Sequence, residues 1–215
     1  MSDLTTLDKH IAPHFDSSAL LVIDVQNDFL DDRPSGVAGT KERLGELERL
    51  TKLYRRAGRP IFHVIRLYTE GDIDNVRRSE FAAGVRLVEP HTSGADIPVQ
   101  LLPHEVTLKP EQLMTGDVQR LSDKEFVVWK PRWSAFHRTN LDALLRVLGV
   151  DTVVVAGCNF PNCPRATLFD ATELDYRAAV VTDATSGVSE ERIADIEPIG
   201  VVPLELADVE AAFYG

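Results

Sequence analysis

The stretch Ala19–Val25, which reads ALLVIDV, decides the fold class of this chain. It is short and almost entirely apolar, as is typical of a strand buried on both faces of a parallel sheet. Leucines at helical spacing follow within Gly39–Ala57, and Gly58 comes directly after them, where a helix commonly ends. This region is therefore predicted to form a strand followed by a helix.

The same alternation of short apolar runs and helical patterns continues along the chain. Further strands are predicted at Pro60–Leu67, Phe126–Lys130, Thr152–Ala156 and Ala178–Asp183. Further helices are predicted at Leu141–Leu148, with Thr139 or Asn140 as its cap, and from about Cys163 to Tyr176. Strands that alternate with helices form right-handed βαβ crossovers, so the sequence predicts an α/β fold with a mainly parallel sheet covered on both faces.

The stretch from Tyr68 to Asp123 interrupts this alternation. Glycines and prolines recur through it, so only short helices or strands fit between them. Long excursions of this kind in a compact domain often serve as lids or binding loops. No internal repeat, low-complexity tract or linker composition occurs in the sequence, and we interpret residues 1–215 as a single domain with a loop-rich insertion at about 68–123.

The charge and the apolar runs disfavour several classes of protein. The chain has 23 Lys and Arg against 34 Asp and Glu, and its net charge of −11 repels nucleic acid and anionic lipid. No apolar run approaches the roughly 20 residues that span a bilayer, and Met1–His10 lacks the apolar core of a secretory signal. We therefore expect a cytoplasmic protein that acts on a small molecule and binds neither nucleic acid nor membranes.

Polar residues with catalytic potential follow three of the predicted strands. Asp24 ends the first strand, Lys130 ends the strand Phe126–Lys130, and Gly157–Cys163 (GCNFPNC) forms the turn after Thr152–Ala156. The carboxyl ends of parallel strands meet at one edge of the sheet, where ligands bind. Considered alone, Asp24 is most simply explained as a helix cap or a solvated residue at a strand end, and Lys130 as a surface lysine. Together with a thiol they form a set that can move a proton and attack a carbonyl carbon.

Of the two cysteines, Cys163 has the features of a nucleophile. Pro164 follows it and suits the first turn of a helix, which places the thiol at a helix N-terminus, where the partial positive charge favours a thiolate. Cys158 follows the strand directly and is expected to be a packing residue. A lone Cys163 would more often be a buried, inert thiol; its predicted neighbours favour the catalytic interpretation.

Four segments of the chain resemble the isochorismatase-like cysteine hydrolases. They are Leu21–Phe29 (LVIDVQNDF), Val128–Leu141, Val155–Thr167 (VAGCNFPNCPRAT) and Val180–Ala184. The resemblance implies a three-layer α/β/α sandwich with a six-stranded parallel sheet, and an assembly of two or four copies. It also implies a catalytic triad in which Asp24 is the general base, Lys130 the supporting cation and Cys163 the nucleophile.

The resemblance has further implications for the turn after the strand Thr152–Ala156. It implies a cis peptide bond between Cys158 and Asn159, and an oxyanion hole formed by the backbone N–H groups of Asn159 and Cys163. It implies no organic cofactor. Nicotinamidases of this family carry an Asp-x-His metal motif with a further histidine after the second strand, whereas His63–Arg78 offers no such grouping. The sequence therefore predicts no metal.

Five other residues are candidates for binding the substrate, although each has an ordinary structural explanation. Four are aromatic residues that could stack on a flat ligand or equally belong to the core, and the fifth is an arginine that could hold a carboxylate or pair with Asp170 or Glu173. These candidates are Phe29, Trp133, Phe136, Phe160 and Arg165.

The main functional hypothesis is a hydrolase that cleaves a C–N bond of a small amide or ureide through an acyl-enzyme on Cys163. A second hypothesis is a thiol redox protein that uses Cys158 and Cys163, although their spacing is not that of a C-x-x-C motif. A third is a small-molecule-binding protein without catalysis on the same fold. The complete Asp, Lys and Cys set favours the hydrolase.

Overall fold

The computed structural model describes residues 6–214, and one seven-stranded sheet organises them. The strands are β1 (Ser18–Ile23), β2 (Ile61–Ile65), β3 (Gln119–Ser122), β4 (Glu125–Trp129), β5 (Thr152–Gly157), β6 (Arg177–Thr185) and β7 (Val201–Leu204). The α-helices are α1 (Leu44–Arg56), α2 (Arg78–Ala82), α3 (Pro110–Met114), α4 (Leu141–Val147), α5 (Cys163–Glu173), α6 (Glu190–Ala194) and α7 (Leu206–Tyr214).

The sheet has the order β3-β4-β2-β1-β5-β6-β7. Six strands run parallel, and β3 pairs antiparallel with β4 at one edge. The predicted α/β class with a mainly parallel sheet is confirmed. The seventh strand was not expected, because β3 lies within the predicted loop-rich insertion and is only four residues long.

The central strand β1 shows why the sheet is covered on both faces. All six of its residues are buried. Leu20 and Val22 belong to one hydrophobic cluster, and Leu21 and Ile23 belong to the other. Successive side chains of a strand point to opposite faces, so a nearly continuous apolar run is what a strand between two helical layers requires.

The predicted helices form with small differences at their ends. Helix α1 starts at Leu44, after a short 3-10 turn at Lys41–Arg43, and packs Leu47 and Leu50 into the core. Helix α4 begins at Leu141 with Asn140 at its N-cap. The Asn140 side chain makes no capping hydrogen bond, and the Thr139 hydroxyl accepts from the Leu141 N–H at 3.3 Å instead. Helix α5 ends at Glu173, three residues before the predicted end.

The insertion contains only short elements, as its glycines and prolines predict, and the residues just after β1 hold it against the sheet. The Gln26 amide donates to the carbonyls of Arg66 and Ala95 at 2.8 and 2.7 Å. The Asp28 carboxylate accepts from the Val88 N–H at 2.7 Å. These contacts fix the loops that surround the carboxyl edge of the sheet.

None of the helices within residues 6–214 has both the length and the apolar character needed to cross a membrane.

Candidate active site

Asp24 and Lys130 form a buried ion pair at the carboxyl edge of the sheet. Lys130 Nζ lies 2.8 Å from Asp24 Oδ2, and the Lys130 and Asp24 side chains are 0% and 5% exposed. Lys130 also donates to the Arg132 carbonyl at 3.2 Å. The backbone N–H of Asp24 donates to the Val64 carbonyl at 2.8 Å, which fixes the residue in its left-handed conformation with φ of 52°. The pairing therefore holds two charges that are almost completely buried.

Gly157 allows the turn that carries the thiol to start close to Asp24. Its φ is 122°, and a Cβ atom there would lie 2.3 Å from the Ile23 carbonyl oxygen. Only glycine fits a backbone this close to another strand with that φ. The Cys158 N–H donates to the same Ile23 carbonyl at 2.8 Å. The chain then turns and enters α5 at Cys163, so the thiol occupies the predicted position at the helix N-terminus.

One threonine connects the Lys130 loop with the Cys163 helix. Thr167 lies fully buried in the second turn of α5. Its hydroxyl donates to the Cys163 carbonyl at 2.8 Å and accepts from the Ala135 N–H at 3.0 Å. The segment after Lys130 and the first turn of α5 are therefore held in a fixed arrangement.

The charges of Asp24 and Lys130 both act on the Cys163 thiol. Burial raises the pKa of this thiol well above its usual range, the Asp24 carboxylate raises it further, and Lys130 opposes both effects. The Cys163 thiol is therefore protonated in this arrangement. One Asp24 oxygen, Oδ1, is buried and makes no hydrogen bond within the described residues. That oxygen is available to take the thiol proton.

The turn before α5 presents two free backbone donors. The N–H groups of Asn159 and Cys163 make no hydrogen bond with any other residue in the range 6–214, whereas the Phe160 N–H donates to the Ser186 carbonyl at 2.8 Å. The expected cis peptide between Cys158 and Asn159 is wrong for this structure, because the described residues contain only trans peptide bonds. The trans form is the lower-energy state of a non-prolyl peptide bond, and both donors remain free with it.

Cys158 occupies the core, as its sequence position predicts. It is 3% exposed and lies 3.4 Å from the Thr40 hydroxyl. Burial raises the pKa of its thiol to about 12, against weaker opposing effects from hydroxyl groups. The pKa of Cys163 is raised as well, so position rather than pKa distinguishes the two thiols: Cys163 begins α5, whereas Cys158 directly follows β5.

A cavity of about 220 Å³ opens beside Asp24 and Cys163, and only two of the five proposed substrate-binding residues line it. Phe29 and Trp133 line it. The other three lie outside its lining. Phe136 stacks on Tyr176, Phe160 is fully buried in the core, and Arg165 pairs with Asp195 at 3.5 Å rather than with Asp170 or Glu173.

Several residues of the cavity wall were missing from the predicted site, and three of them form a cluster. Arg66, Tyr68 and Asp74 all line the cavity, and their side chains bind one another. Arg66 donates to Asp74 at 2.9 Å and Tyr68 donates to the same carboxylate oxygen at 2.6 Å. Arg66 comes directly after β2, so the rule that identified Asp24 and Lys130 at strand ends would also have found it.

The residues after β2 do not fit a metal ion. Metal sites in proteins combine several histidine, cysteine or carboxylate ligands, whereas here an arginine cation already neutralises Asp74. Within the part of the chain that the structure describes, no group of three or more such side chains is placed to hold a metal. Metal-independent activity remains a prediction to be tested by chelation.

Comparisons with known proteins identify the family of this chain. The isochorismatase domain matches residues 18–197. A protein of Arabidopsis thaliana, named a probable inactive nicotinamidase, is 33% identical over 89% of this chain and 93% of its own length. The ureidoacrylate amidohydrolase RutB of Methylobacterium radiotolerans is 28% identical over 81% of this chain and 69% of its own length.

A solved structure shows the same fold. It is an isochorismatase family protein from Desulfovibrio vulgaris, 34% identical in sequence, with a TM-score of 0.78 over 93% of this chain and 99% of that chain. The match of the domain covers most of the 215 residues. The chain therefore belongs to the isochorismatase family of hydrolases.

Proposed function

We propose that this protein is a cysteine-dependent hydrolase that cleaves a C–N bond of a small amide or ureide through an acyl-enzyme on Cys163. The observation that carries the proposal is the state of the Asp24 carboxylate. One of its oxygens is held by Lys130 at 2.8 Å, while the other is buried and makes no hydrogen bond within the described residues. The carboxylate and the Cys163 thiol line the same cavity, and the negative charge raises the pKa of that thiol. A buried carboxylate in this state is suited to act as a general base.

The first step forms the bond between Cys163 and the substrate. The thiol proton moves to Asp24 Oδ1 as the sulfur attacks the carbonyl carbon, so the net charge of the site stays constant. The carbonyl electron pair moves to oxygen, which accepts hydrogen bonds from the N–H groups of Asn159 and Cys163. Lys130 stays charged throughout and stabilises the thiolate as it forms, since it already lowers the pKa of that thiol.

The second step breaks the C–N bond. The tetrahedral adduct collapses, and the leaving nitrogen takes the proton that Asp24 holds and departs as ammonia or an amine. Asp24 is then ionised again and removes a proton from a water molecule that attacks the thioester. The S–C bond breaks, the sulfur recovers the proton from Asp24, and the acid leaves.

The name of one relative supports the choice of an amide or ureide. It is called a ureidoacrylate amidohydrolase, which refers to an amide C–N bond, whereas another relative is named a probable inactive nicotinamidase. The Asp, Lys and Cys set that such hydrolysis uses is complete in this chain. The second name fits the non-catalytic hypothesis, so the ammonia assay decides between it and the hydrolase. The spacing of Cys158 and Cys163 does not fit a C-x-x-C redox motif.

The test is ammonia release from a panel of small primary carboxamides and N-carbamoyl compounds. The wild-type protein should release ammonia from at least one of them, before and after exhaustive chelation. Cys163→Ala, purified in the same way, should release none, which excludes a contaminating hydrolase. A wild-type protein that hydrolyses no member of the panel, or whose activity requires an added metal, would contradict the proposal.

A further inference from the structure

Every charged side chain at the catalytic cavity has a partner of opposite sign. The charged residues that line the cavity are Asp24, Arg66, Asp74, Arg77 and Glu80. Asp24 is neutralised by Lys130 behind it. The other four pair with one another, as two arginine–carboxylate pairs.

The inner pair is Arg66 with Asp74, and both side chains are almost fully buried. They are 2% and 6% exposed, with the Arg66 Nη2 atom 2.9 Å from Asp74 Oδ2. The other terminal nitrogen of Arg66, Nη1, donates to the Lys130 carbonyl at 2.5 Å. The guanidinium also lies over the Tyr68 ring, 4.6 Å from its centroid. Arg66 therefore has its charge balanced by Asp74 and a partner at each terminal nitrogen, while its Nε–H makes no hydrogen bond within the described residues.

The outer pair is Arg77 with Glu80, joined at 3.1 Å, and these side chains are 28% and 52% exposed. Two further arginines, Arg78 and Arg132, line a neighbouring cavity of about 500 Å³ rather than the catalytic one. Among the described residues, the catalytic cavity is thus lined by no cation that lacks an acidic partner.

The cavity wall also offers uncharged groups to a ligand. Asn159 and Asn162 line the cavity together with Phe29 and Trp133. Amide side chains offer donors and acceptors to a neutral polar group. Aromatic side chains offer apolar surface.

A carboxylate that enters a small cavity loses its water, and this cost is recovered only by a cation or by several donors held for it. No such cation is free among the described lining residues, and the net charge of −11 adds a repulsive field. We infer that the substrate of the proposed hydrolase is an uncharged amide or ureide rather than one that carries a carboxylate. This inference rests on the proposed function only for the amide or ureide part.

The experiment compares two alkylating reagents of nearly equal size, neutral iodoacetamide and anionic iodoacetate. Each transfers its CH₂ carbon to the Cys163 sulfur with loss of iodide, and peptide mass mapping measures the rate at Cys163. The ratio of the two rates is divided by the same ratio for 2-mercaptoethanol at the same pH. We expect the corrected ratio to favour iodoacetamide at least about tenfold, because the charged reagent must be desolvated without a free cation.

Two variants separate the local pairing from the overall charge. Glu80→Gln removes the partner of Arg77, and we expect iodoacetate to gain at least about threefold relative to iodoacetamide. Glu105→Gln makes the same change in net charge at an exposed residue outside the cavity lining, and we expect it to leave the ratio unchanged.

A corrected ratio near one, or a preference for iodoacetate, would overturn the inference. Failure of both reagents to alkylate Cys163 would also overturn it, because the inference requires that the uncharged reagent can enter the cavity. The proposed function fails separately, through the ammonia assay. A protein that strongly prefers iodoacetamide but hydrolyses no amide would support the inference about uncharged ligands and contradict the proposed hydrolase function.

Discussion

Lys130 Nζ lies 2.8 Å from Asp24 Oδ2, and this ion pair joins the end of β4 to the end of β1 across the intervening strand β2. Lys130 is fully buried, and Asp24 is exposed only at the cavity that it lines. Removal of one partner from a buried pair leaves an uncompensated charge, which costs far more than the pair contributes when intact. The stability of the protein and the activation of Cys163 therefore depend on the same contact.

Lys130→Met should lower the free energy of unfolding by about 3–5 kcal/mol because it leaves Asp24 charged and buried. Asp24→Asn combined with Lys130→Met should cost less than the sum of the two single changes, since neither charge then remains. Urea unfolding at neutral pH of the wild type, both single variants and the double variant measures this coupling. Additive effects would show that the two side chains do not interact.

Asp24→Asn should shift the pH profile of Cys163 alkylation to lower pH. The Asp24 carboxylate raises the pKa of this thiol and Lys130 lowers it, so removal of the negative charge leaves only the lowering charge. The same variant should lose hydrolysis because it lacks the base. Iodoacetamide rates at Cys163, measured across pH for both proteins, test this. An unchanged or upward-shifted profile would mean that Asp24 does not act on the thiol.

Gly157→Ala should disrupt the turn that positions Cys163. A Cβ atom would lie 2.3 Å from the Ile23 carbonyl oxygen, and the φ of 122° is strained for any other residue, so we expect a loss of at least about 3 kcal/mol. Gly45→Ala is the matched control. Gly45 lies in α1, and a Cβ atom added there would meet no other atom within 4 Å, so alanine should stabilise by about 0.5–1 kcal/mol. Thermal unfolding compares the two, and similar effects would contradict the close approach.

The ionised Glu125 carboxylate should contribute to the free energy of unfolding at neutral pH and lose that contribution in acid. Burial raises its pKa, but hydrogen bonds from Arg55 and His63 outweigh burial and hold the pKa below its usual 4.5. A carboxyl group whose pKa is lower in the folded protein stabilises the fold at any pH above the pKa that it has in the unfolded chain. This stabilisation is lost as the pH falls through the pKa that it has in the folded protein. Glu125→Gln should therefore cost about 3–5 kcal/mol at pH 7 and progressively less below pH 4.5.

The matched control for this change is Glu48→Gln, which removes a partly exposed carboxylate that pairs with Lys52 in the same helix. Pairs of this kind contribute about 0–1 kcal/mol. Urea unfolding of the three proteins at several pH values gives the difference from wild type directly. A cost for Glu125→Gln that did not shrink in acid would contradict the prediction.

The sequence predicted that Asp24, Lys130 and Cys163 lie near one another, because each follows a strand of the parallel sheet and strongly apolar runs mark those strands. The proline after Cys163 placed that thiol at the start of a helix, and the catalytic role of the three residues stays a prediction. Arg66 also follows a strand. Its pairing with Asp74, however, depends on how the insertion folds, and glycines and prolines do not specify that path.

Aromatic residues near the site show a second limit. Phe29 and Trp133 line the cavity, whereas Phe160 lies in the core although it is closer in sequence to Cys163. A turn can direct neighbouring side chains to opposite sides of the backbone. Here the Phe160 N–H donates a hydrogen bond to the Ser186 carbonyl, and the Phe160 ring packs into the hydrophobic core. Hydrophobicity alone does not distinguish a substrate contact from a core contact.

Cys163 should carry the acyl group during turnover, and intact mass followed by peptide mapping detects that group on the protein itself. Samples are quenched in acid during steady-state hydrolysis of whichever amide or ureide releases ammonia. The wild type and Cys158→Ala should both show the acyl mass on the peptide that contains Cys163, and Cys163→Ala should show neither adduct nor ammonia. An acyl group on another residue, or ammonia release by Cys163→Ala at the wild-type rate, would contradict the proposed mechanism.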